Sequence, residues 1–597
     1  MPYFPTLPEG YTTQQVTDTF LGYNHNMKIG DGEFFDMKNL TSSYYPLLSN
    51  RAKRGVVKAL EEPKAILGKS KLAYIDGTHL YYGDLDLSSY LYAKGLSIST
   101  AESMQPKQLI SMGAYIVIYP DKLYINTENY SDCGSIEASF STTENSEVVY
   151  TICKQDGSNY TSYTTSATAP ETEDNGALWL DTSGETHALK MYNASNGMWV
   201  SIATVYTKIA YPGIGKSFKK LDGVFISGCK AEGTVIESQI ELLNGTKIIY
   251  DLADDYIVVV GLLDQTYTQT SGSVKVERRM PDLDFITEAE NRLWGCKYGL
   301  VNGSTVNEIY CCALGDFKNW NQFLGLSTDS YVASVGTDGP FTGAVTHLGY
   351  PIFWKENCFH KVYISSSGAH QIVDTACRGV QKGSHLSLEV VNETLYYKSV
   401  TDICAYDGSL PKSVSSQFGT EKYFCAVAGS IGDKYYVSMK DASNKHHLFV
   451  LDALKGLWHK EDDTNALCFA RCNGELFFID ADTKELTAVN GSEGTLEKDI
   501  EWSATTGLMG YTTIEHKYIS RFNLRMKLPK GSKADIYIQY DSDGIWHHSG
   551  HINGTGTKTF MIPVRPRRCD HFQIKLEGRG DIRIYSFAKI HETGSDE

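Results

Sequence analysis

The stretch ENRLWGCKYGLVNGSTVNEIYCCALGDFKNW, from Glu290 to Trp320, holds two tryptophans, two adjacent cysteines, an arginine and several acids. Acids crowded in this way suit acid–base work only if they converge on one reacting atom. Adjacent cysteines suit a metal only if both thiols face the same side. On a strand Cys311 and Cys312 point to opposite faces, which is poor geometry for a shared ion. The segment from Asn291 to Gly295 reads as the inner strand of a β-blade. Trp294 and Trp320 read as packing between neighbouring blades. The crowding is expected to be scaffold.

Other candidates are weighed in the same way. His446–His447 and His547–His548 are adjacent pairs whose rings diverge on a strand, so neither chelates well. Cys468 and Cys472 stand at C-x3-C with no second pair, so zinc is not expected. The acids of DADTKE (480–485) and YDSDG (540–544) lack the mid-loop glycine and distal glutamate of a calcium loop and read as solvated turns. Glycoside hydrolysis needs two carboxylates facing each other across a sugar, and the sequence singles out no such pair. There is no G-x-S-x-G, H-E-x-x-H or Walker loop. RPRRC (565–569), the densest basic cluster, would contact phosphate or an acidic partner, or guard a strand edge with charge. No catalytic residue, cofactor-binding residue or metal ligand is assigned. The expectation is that the chain is not an enzyme, has no hydrolase activity and uses no cofactor.

The elements that would position such residues are strands. Helical periodicity is almost absent, and apolar–polar alternation recurs. A strand–turn–strand phrase repeats at 71–84, 114–127, 291–320, 350–367, 392–409, 432–460 and 473–490. From Asn291 onward the spacing is about 40–50 residues, the period of propeller blades. A single blade cannot bury both faces, whereas blades stacked radially cover each other. ITEAEN (286–291) is either a helical turn or the start of a blade. Three Gly-x-Trp turns, at Gly197, Gly456 and Gly544, need a glycine with positive φ and cap hairpins with tryptophan. The last, Ser542 to Trp546, partly resembles the Asp-box turn of sialidases, a structural turn.

The expected fold is all-β: a β-propeller of six to eight blades with inserted small β-modules and a C-terminal β-sandwich. An N-terminal extended segment (1–57) docks on the propeller or a neighbour, and the first blades occupy 58–132. Inserted β-modules (133–281) include one at 165–202 and another at 219–262. The remaining blades occupy 282–490 and the sandwich 491–597.

Composition bounds the partners. Lys plus Arg is 55 against 71 Asp plus Glu, a net charge of -16. That argues against a duplex-DNA clamp, which needs a basic footprint, and is compatible with DNA sliding past without sticking. The 13 cysteines, an odd number set mostly in apolar runs such as YFCAVAG around Cys425, are expected to be reduced, as in a cytosol. The N-terminus lacks the basic and apolar regions of a signal peptide, and no apolar run reaches membrane-spanning length.

The order of parts then carries a resemblance. FLGYNHNMKIGDGEFFDMKNLTSSYYPLLSNRAKRG (20–55) resembles the start of phage tail proteins that lead into a propeller. The phrase NRLWGC…IYCCALGDFKNW resembles the blade phrase of the packaged-DNA-stabilisation and tail-nozzle proteins of short-tailed phages. TAPETEDNGALWLDTSGETHALKMYNASNGMWV resembles a small decoration module of phage tail and fibre proteins. The resemblance implies a structural virion protein of a bacteriophage tail, made in the host cytoplasm. It implies a homo-oligomeric, typically sixfold ring below the portal and adaptor that closes the DNA channel and releases the genome on infection. Its partners would be tail adaptor or portal-side proteins, tail fibres and passing DNA, without membrane insertion. The alternative is a baseplate or receptor-binding protein whose inserted modules, around Trp179 and Trp199, bind host-surface glycan.

Overall fold

The computed structural model describes residues 12–593, apart from 101–105, 172–173, 232–236, 368, 511–516 and 565–566. Its centre is a ring of seven antiparallel sheets, so the fold is a seven-bladed propeller. The blades cover residues 63–86, 108–135, 285–334, 343–376, 389–413, 423–460 and 466–496. In each, the first strand is innermost, and consecutive innermost strands lie side by side around the axis, except between blades 4 and 5, where the turn His385–Ser387 lies beside the blade 4 strand. Apolar residues from facing sheets meet in every gap. Ile75 and Leu80 of blade 1 share a core with Ile116 and Ile125 of blade 2. Trp354 of blade 4 shares one with Tyr397 and Tyr406 of blade 5, and Tyr436 of blade 6 one with Phe478 of blade 7. The ring closes where Phe477 and Ile479 of blade 7 pack on Ile66 and Tyr74 of blade 1. The seven units thus cover one another's faces radially.

Closure is also made by the backbone, through strand pairing. Blade 7 takes its fourth strand, Gly55–Ala59, from far upstream, paired antiparallel with Glu485–Ala488. The chain turns directly from this latch into the first strand of blade 1. At that seam Gly68 runs so close to blade 7 that an added Cβ would lie 1.7 Å from the carbonyl oxygen of Arg471. Backbone on both sides leaves no side chain to swing away. The substitution Gly68→Ala is expected to cost about 1–3 kcal/mol through overpacking, read as a lowered urea midpoint. An unchanged midpoint would mean the seam is looser than drawn.

ITEAEN resolves as the start of a blade: Phe285–Ala289 is the innermost strand of blade 3, followed by a hairpin turn at Glu290 and Asn291, both with positive φ. The strand reading of Asn291 to Gly295 is corrected in position. Arg292–Val301 is the second strand of its blade, because Phe285–Ala289 takes the axial place.

The N-terminal segment differs from expectation. It does not merely dock; it supplies strands to the C-terminal sandwich. One sheet of that sandwich combines Leu40–Thr41 and Leu48–Asn50 with Arg583–Thr593, Lys517–Leu528 and Gly556–Pro563, and Thr12–Thr17 adds to Arg583–Thr593. The other combines Gly22–Tyr23 and Glu33–Lys38 with Glu501–Thr506, Phe572–Arg579, Lys533–Tyr540 and His547–Ile552. Strict alternation, as along Lys533–Tyr540, sends every second side chain into the interior. Phe34, Trp502, Ile536 and Leu576 of the sandwich belong to one hydrophobic cluster with Phe449 and Trp458 of blade 6.

The insertion between blades 2 and 3 is also organised differently. Its larger part is a single two-sheet unit made of strands from 138 to 278. Val148–Cys153 pairs with Tyr206–Ala210, across a separate four-stranded sheet of residues 164–201. The second module expected at 219–262 is not separate: its strands join those of 138–153 and 206–210 in one unit, a pairing across the small sheet that alternation does not reveal.

Candidate functional site on the propeller axis

The residues chosen from the sequence are spent on structure. Trp294 is fully buried with Phe353 of blade 4 and with Phe341 just before that blade, and Trp320 packs with Tyr119 and Tyr124 of blade 2. Arg292, also buried, donates to the carbonyl oxygens of Cys312, Ser327 and Asp329 at 2.6–3.1 Å and so braces the loop after its hairpin. Burial pushes the Cys312 thiol up to about 12 and raises Cys311 well above the ordinary range. Neither is thiolate near neutrality. No disulfide joins any of the 13 cysteines; Cys425, placed in an apolar run, is in fact exposed at a bulge in the first strand of blade 6.

The acids of the two candidate calcium loops hold turns. Asp480 accepts the backbone N–H groups of Asp482 and Thr483, and Asp541 those of Asp570 and His571. His447 bonds to Asp441 at 2.9 Å. His548 pairs not with His547 but with His551, both meeting Asp535 at 3.0 and 2.7 Å. Among the described residues no group of three or more His, Cys, Asp and Glu could hold a metal ion. Arg567 lies over the Tyr540 ring and 3.5 Å from Asp543, while Arg565 lies outside the described residues. The three Gly-x-Trp glycines have φ of 65°, 67° and 78°, the left-handed conformation the turn requires.

The site that the fold itself builds was not singled out by the sequence. A cavity of about 200 Å³ lies on the propeller axis, at the end where several innermost strands begin. Gln108 opens the innermost strand of blade 2, Phe285 that of blade 3 and Glu389 that of blade 5. A short turn, His385–Ser387, leads into Glu389 and brings the imidazole to the rim, its ring centroid 5.2 Å from that of Phe285. Gly343 makes room for this turn: a Cβ there would lie 2.7 Å from Leu388. Phe469 of blade 7 completes the wall, and Ala344 and Ala428 keep the interior open.

The polar groups of this cavity are poorly satisfied. Glu389 is walled by protein and keeps a half-open edge toward the cavity. Burial pushes its carboxyl up to about 7, against the hydrogen bond from Ser430 (2.8 Å) and the more distant charge of Arg471. Burial lowers His385 to about 4, so the ring is neutral. Its Nε2 and the Nε2 of Gln108 are buried with no hydrogen-bond partner. Buried polar atoms without a partner are rare, and these two nitrogens sit inside the walls of the hollow rather than on its open surface. The sequence carries no signal for them, because SLEV looks like any other strand opening.

A second hollow, of about 540 Å³, lies in the insertion and is lined by Tyr160, Tyr163, Leu178, Met191 and Ile202. Trp179 does not face solvent there. It is buried beneath Trp199 with their centroids 5.5 Å apart, and its indole N–H donates to the Ser166 carbonyl.

No family model matches the chain, and no curated protein matches it. Several solved structures are similar to parts of it. An exo-β-1,3-galactanase from Phanerochaete chrysosporium, solved with galactose, is 7% identical at a TM-score of 0.21, covering 50% of this chain and 95% of its own. An engineered family 43 glycoside hydrolase with endo-xylanase and exo-arabinofuranosidase activity is 9% identical at 0.19, covering 53% and 97%. An arabinoxylan arabinofuranohydrolase from Bacillus subtilis is 8% identical at 0.14, covering 69% and 95%. The expectation that the chain is not an enzyme is corrected on this finding: these three structures are glycoside hydrolases, and that exclusion is withdrawn. No phage protein is among these three.

Proposed function

We propose that the chain is a structural subunit of a bacteriophage tail, of the nozzle type that extends and closes the DNA channel, retains the packaged genome and releases it on infection. One observation carries this reading beyond the resemblance: sandwich and propeller share one continuous hydrophobic core, leaving the insertion as an appendage. A body of this kind suits a subunit that bears on neighbours through several faces, as a closed ring requires. The axial cavity is far too small for a duplex, so DNA would pass through the lumen of a ring of subunits, sixfold by resemblance. A net charge of -16 lets the duplex slide, since it offers no release of counterions to hold it.

The second reading, a receptor-binding tail protein, draws on the aromatic hollow beside the small sheet at 164–201. Its support is narrower than the sequence suggested, because Trp179 is inaccessible, and Trp199 and Tyr192, though partly exposed, do not line the hollow.

Knockout particles separate the two readings. The nozzle reading expects particles that lose packaged DNA, measured by nuclease-protected DNA per particle, while adsorption to host cells survives. Retained DNA together with lost adsorption would overturn it. Under the second reading, deleting residues 165–202 abolishes adsorption while the particle keeps its DNA.

A further inference from the structure

We propose that the outer face of one sandwich sheet, where Arg521, Arg525, Lys527 and Arg583 stand together, docks on the acidic rim of blade 7 of a second copy of this chain, in head-to-tail contact. The proposal rests on the ring reading above and names the contact between its subunits.

Charge is divided unevenly along the chain. Residues 517–593, which complete the sandwich, carry 14 Lys and Arg against 7 Asp and Glu, while the rest carries 41 against 64. The strand Lys517–Leu528 shows where the excess goes. Phe522, Leu524, Met526 and Leu528 alternate into the core, which sends Arg521, Arg525 and Lys527 to solvent. The neighbouring strand Gly556–Pro563 has no acid, and it sets Thr559 and Thr557 opposite Arg525 and Lys527. On the other side Lys527 stands opposite Arg583, in a stretch, 583–590, that also has no acid. Like charges directly opposite one another destabilise a sheet. Among the described residues no ion pair relieves these two. Arg583 lies over the Tyr44 ring at 3.7 Å, and Asp581, two residues earlier, accepts instead from Asn50. Met561 and Val16, 64% and 58% exposed, lie in register with the same face through Asn523 and Ala588 and add apolar surface to it.

Charge also selects the occupant. The molecule as a whole, at -16, repels a free polyanion as it approaches. The same division of charge draws in a second copy, and in one orientation. A two-fold contact would set cations against cations, so the contact joins two different faces, the kind that closes a ring. Blade 7 supplies the counterpart, since residues 473–496 hold five acids and one base. Asp482 and Glu493 are exposed there, and Leu496, three residues on, is 53% exposed and offers apolar surface to Met561 and Val16. Among the described residues neither Asp482 nor Glu493 forms an ion pair. The two faces thus match in charge and in their apolar content.

The test is sedimentation velocity on the full chain across a concentration series. The chain should associate at about 0.15 M salt and come apart at about 1 M, where the screening length falls from about 8 Å to about 3 Å. Arg525→Glu with Lys527→Glu should weaken association at least about tenfold, and so should Asp482→Lys with Glu493→Lys, the low end for close charge pairs across an interface. Mixing the two variants should restore it, because native and swapped contacts then alternate. All four side chains are exposed, so each variant should keep its thermal midpoint, which guards against a folding defect. Association that persists through both pairs of reversals overturns the proposal. So does a chain that stays monomeric at about 0.15 M salt; if that monomer binds a DNA duplex through Arg525 and Lys527, the face belongs to nucleic acid. The nozzle reading fails separately, since knockout particles that keep their DNA would end it and leave this contact standing.

Discussion

Replacing Arg54 with alanine is expected to destabilise the protein by about 3–5 kcal/mol, the range for leaving one side of a buried ion pair uncompensated. Arg54 precedes the strand that latches the propeller. Its guanidinium reaches Glu461 at 2.7 Å and Asp462 at 3.0 Å, and donates to Thr464 at 2.9 Å. Arg51 joins the same acids and also meets Glu497 at 2.7 Å. Glu461 is 3% exposed and Arg54 6%, so water does little to replace a lost partner. Burial works against charge on both sides, yet the arginines hold Asp462 below the ordinary carboxylate range. Three parts of the chain meet here: the strand crossing from the sandwich, the end of blade 6 and the segment after blade 7. The loss should appear as a lower urea midpoint followed by tryptophan fluorescence. Arg54→Lys should fall between the two, since it keeps the charge and loses the planar fork. A loss under about 1 kcal/mol, the scale of an exposed pair, would show that the network is peripheral.

This junction also shows where the sequence stops being legible. The blades could be read because each carries its own evidence: alternating residues, then a turn such as Asn473-Gly474 with both φ positive, then alternation again. Partners distant along the chain leave no such trace. Nothing in GVVKA (55–59) says that it pairs with ELTA (485–488), and nothing in GY (22–23) says that it lies in a sheet with Phe572–Arg579. Both are set by tertiary packing, as is the pairing of Val148–Cys153 with Tyr206–Ala210. The axial site was hidden for the same reason. Gln108 lies hundreds of residues from His385 and Glu389, and it becomes their neighbour only when the innermost strands close around an axis. The tryptophans were conspicuous by type, but their place in the gaps between blades makes them packing. Cys425 misled because a bulge turns it outward, and a bulge has no signature in the alternation around it.

Stability should be greatest near about pH 6.5 and fall on the acid side with an unusually steep slope for histidines. Three buried imidazoles are neutral in the folded protein. His459 is lowered to about 3, chiefly by burial and then by Lys434, with Asp452 opposing and Lys455 adding to it. His360 is lowered to about 4 by burial and Lys355, with Asp374 opposing, and shares a hydrogen bond with Thr337 at 2.8 Å. His385 is lowered to about 4 by burial. In the unfolded chain all three take up a proton near pH 6.5. Between there and about pH 4 the unfolded state therefore binds more protons, and folding is disfavoured by up to about 1.4 kcal/mol per pH unit for each ring. Glu389 has the opposite sign. Its folded pKa is raised from 4.5 to about 7, so its contribution is complete below 4.5 and is lost as pH rises through 7. Three histidines outweigh one carboxyl below pH 6.5; above it only the carboxyl still changes, which puts the maximum there. Urea midpoints from pH 4.5 to 8 measure the curve. His459→Gln should remove about half of the net acid slope, because three histidines are opposed by one carboxyl there, and Glu389→Gln should flatten the decline above the maximum. A midpoint that climbs steadily as pH is lowered from 8 to 5 would mean that these rings are not held neutral in the fold.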